Sequence, residues 1–192
     1  MWYTDLGLGQ MATEFFDKLT PQEARIVLQN FLDVEREAVK ELVAAAGKDG
    51  VVADFSLGSL VPVFGWIARQ LKEIPIQPPA DIPEWIKKEH EKNVGWFEFD
   101  EPSKTMLLRA GYYLGETFVR GVKGLAWGTG NPDYIQKHMP VVIGFAGGQE
   151  LPAQTVARNI AWHAMRTGSA DRIKVAVEAW LSKAPHVPER RG

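Results

Sequence analysis

Tyr112, Glu116 and Arg120 are the residues of this 192-residue chain whose types and spacing come closest to a chemical site. They stand four residues apart, so a helix through them would place all three side chains on one stripe. Glu116 preceding Arg120 is the favourable order for an ion pair, worth roughly 0.2–0.5 kcal/mol. A buried Glu116 beside a tyrosine would instead be a candidate acid–base or binding group. Both interpretations stay open, and the structural ion pair is favoured.

A second polar group lies in the loop 128–133 and just after it. Together with Glu116, it supplies the candidate ligand-binding residues: Glu116, Asn131, Asp133 and His138. Gly147 and Gly148 then precede a predicted helix, an order that can present backbone N–H groups to an anion. No phosphate-loop motif is present, however, and Glu150 would repel a phosphate. Turns that need positive φ are the favoured interpretation of these glycines.

Motifs typical of metal sites and hydrolases do not occur in the sequence. There is no cysteine, and the four histidines show no paired ligand spacing such as HExxH. No serine sits in a GxSxG motif. We therefore predict no catalytic residue, no metal site and no cofactor.

Trp96 and Trp127 stand out among the seven tryptophans because both adjoin predicted loops or strand ends. Aromatic side chains in such places can anchor an interface with another protein. They are more often buried. We keep both residues as candidate interface residues.

The predicted fold class is α+β, with five or six helices packed around a small, antiparallel sheet. Thr20-Pro21-Gln22-Glu23 forms a capping box that begins a helix reaching Ala46. Its apolar face is predicted to hold Ala24, Val27, Leu28, Phe31, Val34, Ala38, Leu42 and Ala45. Further helices are predicted to begin near Ser59, Asp81, Pro102, Pro152 and Ser169.

Strands are predicted near 51–55, 125–129 and 140–145 from their β-branched and aromatic residues. The stretch 94–99 could be a strand or an aromatic loop, and 75–83, with four prolines, is predicted to be an extended connector. Gly111 and Gly115 stand four apart in the predicted helix after Pro102. They predict a close-packed seam, because each otherwise costs about 1 kcal/mol in a helix.

Length and composition predict a single domain over 1–192, with a loose N-terminal arm (1–19) and a disordered C-terminal tail (184–192). The N-terminus lacks the basic and apolar regions of a signal peptide, and no apolar run reaches about 18 residues. We therefore expect a cytoplasmic protein without membrane association.

Charge is spread unevenly along the chain. Residues 1–55 carry ten acidic and five basic side chains, whereas residues 106–192 carry six and eleven. Either the two halves complement each other or the basic half binds an anionic partner. The bases are scattered among apolar positions, which favours an inward, structural role and argues against a nucleic-acid partner. The bases in question are Arg158, Arg166, Arg172, Lys174 and Lys183.

Three groups of residues together resemble a loose group of uncharacterised bacterial α+β proteins, some of which look like predicted toxin-immunity proteins. They are Asp54-Phe55-Ser56 with Ser59-Leu60, then Gly111 to Glu116, then Trp127 with Pro140-Val141-Val142. The resemblance covers about 50–146 and implies a small α+β bacterial domain. It carries over no catalytic residue. The basic C-terminal half departs from it, because immunity proteins that neutralise nucleases are commonly acidic.

The sequence thus favours a non-enzymatic protein-binding module of the immunity type, with another protein as its partner. The competing class is a small-ligand-binding protein or an enzyme that uses the loops at 128–133 and 147–150. Nothing in the sequence indicates an oligomeric state.

Overall fold

Helices dominate the computed structural model, which describes residues 15–185 of the chain. The helices are α1 (Pro21–Lys48), α2 (Leu60–Gln70), α3 (Glu84–Asn93), α4 (Glu101–Gly121), α5 (Ala153–Thr167) and α6 (Arg172–Leu181). The strands are β1 (Glu73–Pro75), β2 (Phe97–Phe99), β3 (Ala126–Thr129) and β4 (Pro140–Ile143). Residues 15–17 are also helical. The α+β class is confirmed, and within 15–185 the helix count is slightly above the expected five or six.

The predicted capping box begins α1. The Glu23 backbone N–H donates to Thr20 Oγ1 at 3.3 Å, and the Thr20 N–H donates to the Glu23 carboxylate at 2.8 Å. Two of the helix's unpaired N–H groups are thereby satisfied. Short-range chemistry was sufficient to place this helix start.

The buried face of α1 is rotated from the predicted one. Its buried residues are Ala24, Glu35, Val39, Leu42 and Ala46. Val34, which was predicted on the apolar face, is 53% exposed. The prediction was wrong here because it followed apolar residues alone and therefore skipped the buried Glu35.

The strands form two separate antiparallel pairs instead of one sheet. In the first, β1 pairs with β2, with Glu73 opposite Phe99. In the second, β3 pairs with β4, with Trp127 opposite Val142. The stretch 94–99 therefore supplies a strand, and the first pair includes Pro75 from the predicted connector.

The predicted strand at 51–55 is absent. Phe55 has a φ of 61°, which turns the chain, and its N–H donates to the Tyr113 hydroxyl at 3.2 Å. Ser56 then accepts from the Ser59 N–H at 3.1 Å and caps a short 3₁₀ turn before α2. Ser56 and Ser59 are the two candidate caps in the sequence, with Ser59 favoured; Ser56 makes the capping hydrogen bond, and Ser59 holds the N-cap position of α2 without one.

Helix α4 lies at the centre of the core and packs against α1, α2 and α5. The seam predicted at its two glycines is present. A Cβ on Gly111 would overlap Gln154 at the start of α5, including its Cα atom. A Cβ on Gly115 would overlap the indole ring of Trp127. The absence of a side chain at Gly111 thus lets the backbone of α5 approach α4, and its absence at Gly115 lets the Trp127 ring do so.

The predicted arm and tail fall largely outside the described residues, which include only 15–19 of the first and 184–185 of the second. Among the helices of 15–185, none is both long and apolar enough to cross a bilayer.

Candidate functional site

An apolar groove of about 390 Å³ lies between α1, β4 and the start of α5. Its walls are almost entirely hydrocarbon, because prolines, valines and aromatic rings supply most of the surface. The lining residues are Phe16, Val27, Asn30, Phe31, Val34, Met139, Pro140, Val141, Pro152, Gln154 and Thr155. A volume of this size falls in the usual range for ligand or side-chain pockets.

The rotation of α1 creates one wall of this groove. Val27, Phe31 and Val34 follow one another at helical spacing and turn towards it. One turn before Asn30, Ile26 is 56% exposed and extends the same side of the helix into solvent. The groove therefore continues into an exposed apolar surface, a feature that commonly marks an interaction site.

Gln154 and Thr155 are the polar side chains at the α5 end of the groove, and Gln154 is the one with an unpaired buried group. Its Nε2 atom is buried and has no hydrogen-bond partner in 15–185. An unpaired buried donor costs about 1–3 kcal/mol, so an acceptor oxygen from a bound molecule would relieve it.

Phe31 connects the groove to an aromatic cluster between α1, α4 and β3. Its ring centroid lies 4.6 Å from that of Tyr112 and 5.0 Å from that of Trp127. The Trp127 indole N–H donates to Glu116 Oε2 at 3.4 Å, and Arg120 Nε donates to Glu116 Oε1 at 2.7 Å. The predicted Glu116–Arg120 ion pair is therefore present, with its carboxylate held from two sides.

Glu35 lies across from this pair and is only 9% exposed. Burial, and then the neighbouring Glu116 charge, raises the pKa of Glu35 to about 7, against the opposing influence of Arg120 and Arg36. Burial, and then the Glu35 charge, raises the pKa of Tyr112 to about 12. Two carboxyl groups thus face each other in different surroundings, one held by donors and one not.

The sequence reasoning missed Glu35, although its spacing contained the signal. Glu35 follows Phe31 by four residues and precedes Leu42 by seven, which places all three on one stripe of the helix. A charged residue in a core stripe indicates a titratable group in the contact between two elements.

The four predicted ligand-binding residues are divided between two places. Asn131 and Asp133 share one turn, in which the Asp133 N–H donates to Asn131 Oδ1 at 2.9 Å. The Asn131 N–H donates to Glu150 Oε1 at 2.9 Å, so the loop 128–133 contacts the stretch before α5. Glu116 belongs instead to the aromatic cluster with Trp127. The loops at 128–133 and 147–150 are therefore joined by a hydrogen bond in which Glu116 takes no part.

His138 follows that loop, shortly before β4, and is 6% exposed. Its φ is 61°, and its N–H donates to the Gly130 carbonyl at 3.0 Å. Its ring Nδ1 lies 3.3 Å from the carbonyl oxygen of Phe16, a groove residue. Because that oxygen can only accept, Nδ1 carries the proton in this contact. His138 thus supports one end of the groove without lining it.

The two candidate interface tryptophans are both half-buried. Trp96 lies against His90, with ring centroids 4.3 Å apart. Trp127 sits in the cluster beside the groove. Gly147 and Gly148 are exposed and have φ of 67° and 68°, the turn conformation favoured for them. Within 15–185, no three His, Asp or Glu side chains are grouped closely enough to hold a metal ion.

Comparison of the chain with family models, with curated proteins and with solved structures finds no match.

Proposed function

We propose that this protein is a non-enzymatic protein-binding module that receives apolar side chains of a partner in the groove between α1, β4 and α5. The observation that carries the proposal is the continuity of the groove with exposed apolar residues of α1. Val34 both lines the groove and is 53% exposed, and Ile26, one turn before Asn30, is 56% exposed. Burying such a surface stabilises a complex by about 25 cal/mol per Å² of apolar area, before the costs of association.

The groove best fits a short partner segment with a large apolar anchor. About 390 Å³ holds roughly one or two large side chains, which is how buried anchors commonly dominate an interface. A backbone carbonyl of the segment could accept a hydrogen bond from Gln154 Nε2, which has no partner in 15–185. The partner is thus defined by apolar anchors beside an acceptor oxygen.

A display library of random peptides on the purified protein tests this proposal. We expect enriched peptides to share large apolar residues, and we expect Val34→Asp to abolish their binding. The matched control is Val175→Asp, because Val175 is 67% exposed on α6 and lies outside the groove. Peptides that bind both variants equally, or no enrichment at all, would contradict the proposal.

The immunity type is the more specific part of this proposal, and we expect such a protein to act in the cytoplasm. It is supported by the sequence resemblance described above. Co-expression with the product of an adjacent gene checks it: an immunity protein should restore growth that the neighbour alone suppresses, and Val34→Asp should not. If growth does not depend on this protein, the immunity type is excluded and a binding module of another kind remains.

A small-ligand-binding protein is the second candidate, and the groove volume together with the Gln154 amide favours it. Such a ligand would have an apolar body and an acceptor group. Calorimetry with a medium-chain fatty acid is the corresponding test. Saturable binding that Val34→Asp abolishes and Val175→Asp retains would support this candidate over the peptide-binding module.

A further inference from the structure

Glu35 is a charged side chain in the otherwise apolar contact between α1 and α4. The buried stripe around it consists of Ala24, Val39, Leu42 and Ala46. No residue in 15–185 donates a hydrogen bond to the Glu35 carboxyl group, although burial makes an unpaired charge costly. This position is therefore sensitive to whether the carboxyl group carries a proton.

The groups that face Glu35 do not supply a free counter-charge. From α4 it meets Tyr112, Glu116 and Arg120, and from its own helix it meets Arg36. The Arg120 guanidinium is already engaged, because it donates to Glu116 and lies 3.8 Å from the centroid of the Phe55 ring. The strands β3 and β4, which also pack against α1, contain no titratable side chain.

Ionisation of Glu35 would place two carboxylates together in a partly dry contact. Glu116 cannot easily turn away, because Arg120 and Trp127 hold its two oxygens. The movement that separates the charges is therefore a displacement of α1 from α4. Such a displacement would carry Phe31, which packs on Tyr112 and Trp127 and also forms a wall of the groove.

We propose that Glu35 is a proton-controlled latch: when protonated it lets α1 seat against Tyr112 and Trp127, and when ionised it loosens α1 and the groove wall that Phe31 forms. Its pKa of about 7 places this change within the neutral range. The latch belongs to the fold, so its test requires no partner and can fail independently of the protein-binding proposal.

Hydrogen–deuterium exchange of peptides covering 27–42 tests the latch, after correction for the intrinsic pH dependence of exchange. We expect the protection of these amides in the wild type to fall on the order of tenfold between about pH 5.5 and about pH 8.5. In Glu35→Gln, which keeps the shape and removes the charge, protection should not change with pH. The control Glu37→Gln removes an exposed carboxylate of the same helix and should behave like the wild type.

Two results would overturn the latch: protection of 27–42 that does not depend on pH in the wild type, or an equal pH dependence in Glu35→Gln. Should that variant fail to fold, the carboxyl carbon of Glu35 can be titrated by NMR in the wild type. A midpoint near 7 supports the latch, whereas a midpoint near 4.5, the ordinary pKa, refutes it.

Discussion

Gly115 lies directly against the indole ring of Trp127, so that α4 and β3 touch where a side chain would otherwise separate them. This contact positions the indole N–H to donate to Glu116, which follows Gly115 in the helix. The absence of a Cβ therefore supports the aromatic cluster beside the groove.

Substitution at Gly115 should destabilise the protein through overpacking. We expect Gly115→Leu to lower the free energy of unfolding by about 1–3 kcal/mol or more, and Gly115→Ala by about 1 kcal/mol. Gly121 ends the same helix with no neighbour close to where its Cβ would lie, so Gly121→Ala should stabilise by about 0.5 kcal/mol. Urea denaturation measures all three variants. A leucine variant as stable as the parent would contradict the close contact.

The hydroxyl of Tyr113 should matter far more than that of its neighbour Tyr112. Tyr113 accepts from the Phe55 N–H at 3.2 Å and lies 2.6 Å from Ser59 Oγ, whose own proton goes to the Ser56 carbonyl. Tyr113→Phe would leave the Phe55 N–H without its acceptor and Ser59 Oγ with only its bond to Ser56, and should lower the free energy of unfolding by about 1–3 kcal/mol.

Tyr112→Phe is the matched control for that variant, because no residue in 15–185 forms a hydrogen bond with the Tyr112 hydroxyl. We expect it to change stability by no more than about 0.5 kcal/mol. Thermal unfolding of the two variants side by side gives the answer. An equal loss of stability in the two variants would show that the Tyr113 hydrogen bonds do not stabilise the stretch 51–59.

Arg166 should not be replaceable by lysine. It donates from Nε and Nη2 to the two Glu73 oxygens at 3.0 and 2.6 Å, and it lies 5.2 Å from the Phe97 ring centroid. These contacts join α5 to β1 and β2. A lysine keeps the positive charge but cannot form the paired hydrogen bonds to Glu73 or place a planar group against the Phe97 ring. Arg166→Lys should therefore lower the free energy of unfolding by about 1 kcal/mol.

Lys174→Arg serves as the control for Arg166→Lys, because the Lys174–Asp171 pair is exposed and local, and such pairs contribute little. Its effect should stay within about 0.5 kcal/mol. Denaturant unfolding measures the stability of both variants. If Arg166→Lys were as stable as Lys174→Arg, the bidentate contact would not contribute to stability.

Glu35 should make the whole protein less stable as the pH rises towards neutrality. Its pKa is about 7 when folded and 4.5 ordinarily, so the folded state binds more protons between these values. Its contribution is therefore fully present below about pH 4.5, is lost as the pH rises through 7, and is constant above. We expect a loss on the order of 2 kcal/mol in wild-type unfolding free energy, which is less than the full pKa difference would give because solvent partly screens the carboxyl group.

Glu35→Gln should remove this part of the pH dependence and should be more stable than the wild type above neutrality. Urea denaturation series at several pH values measure the difference between the two proteins. A difference that does not change with pH would show that Glu35 titrates normally.

The sequence shows that acidic and basic residues are unevenly distributed, and the structure shows which of them pair. An inward role was favoured for the basic residues of the C-terminal half, with the acidic residues of 1–55 as their complement. Arg166 does meet an acid, but that acid is Glu73 of β1. Lys174 pairs with Asp171, and Lys183 lies over the Trp180 ring. On α1, Glu41 pairs with Arg109 of α4. The sequence thus showed the sign of each charge but did not identify the residue that pairs with it.

The sequence by itself determined the features that short-range chemistry controls. These include the capping box that begins α1, the ion pair between Glu116 and Arg120, and the seam at Gly111 and Gly115. Each depends on residues within one helical turn, or on a local cost that demands an explanation. The starts of the other helices were likewise found to within a few residues.

Only the tertiary structure decided which distant surfaces meet. It rotated α1 so that Glu35 is buried and Val34 lines a groove. It paired β1 with β2 and turned the chain at Phe55, where a strand was predicted. The physical reason is that burial of a stripe depends on the shape of the partner surface. Seating Phe31 against Tyr112 and Trp127 rotates the helix and carries Glu35 into the contact with it.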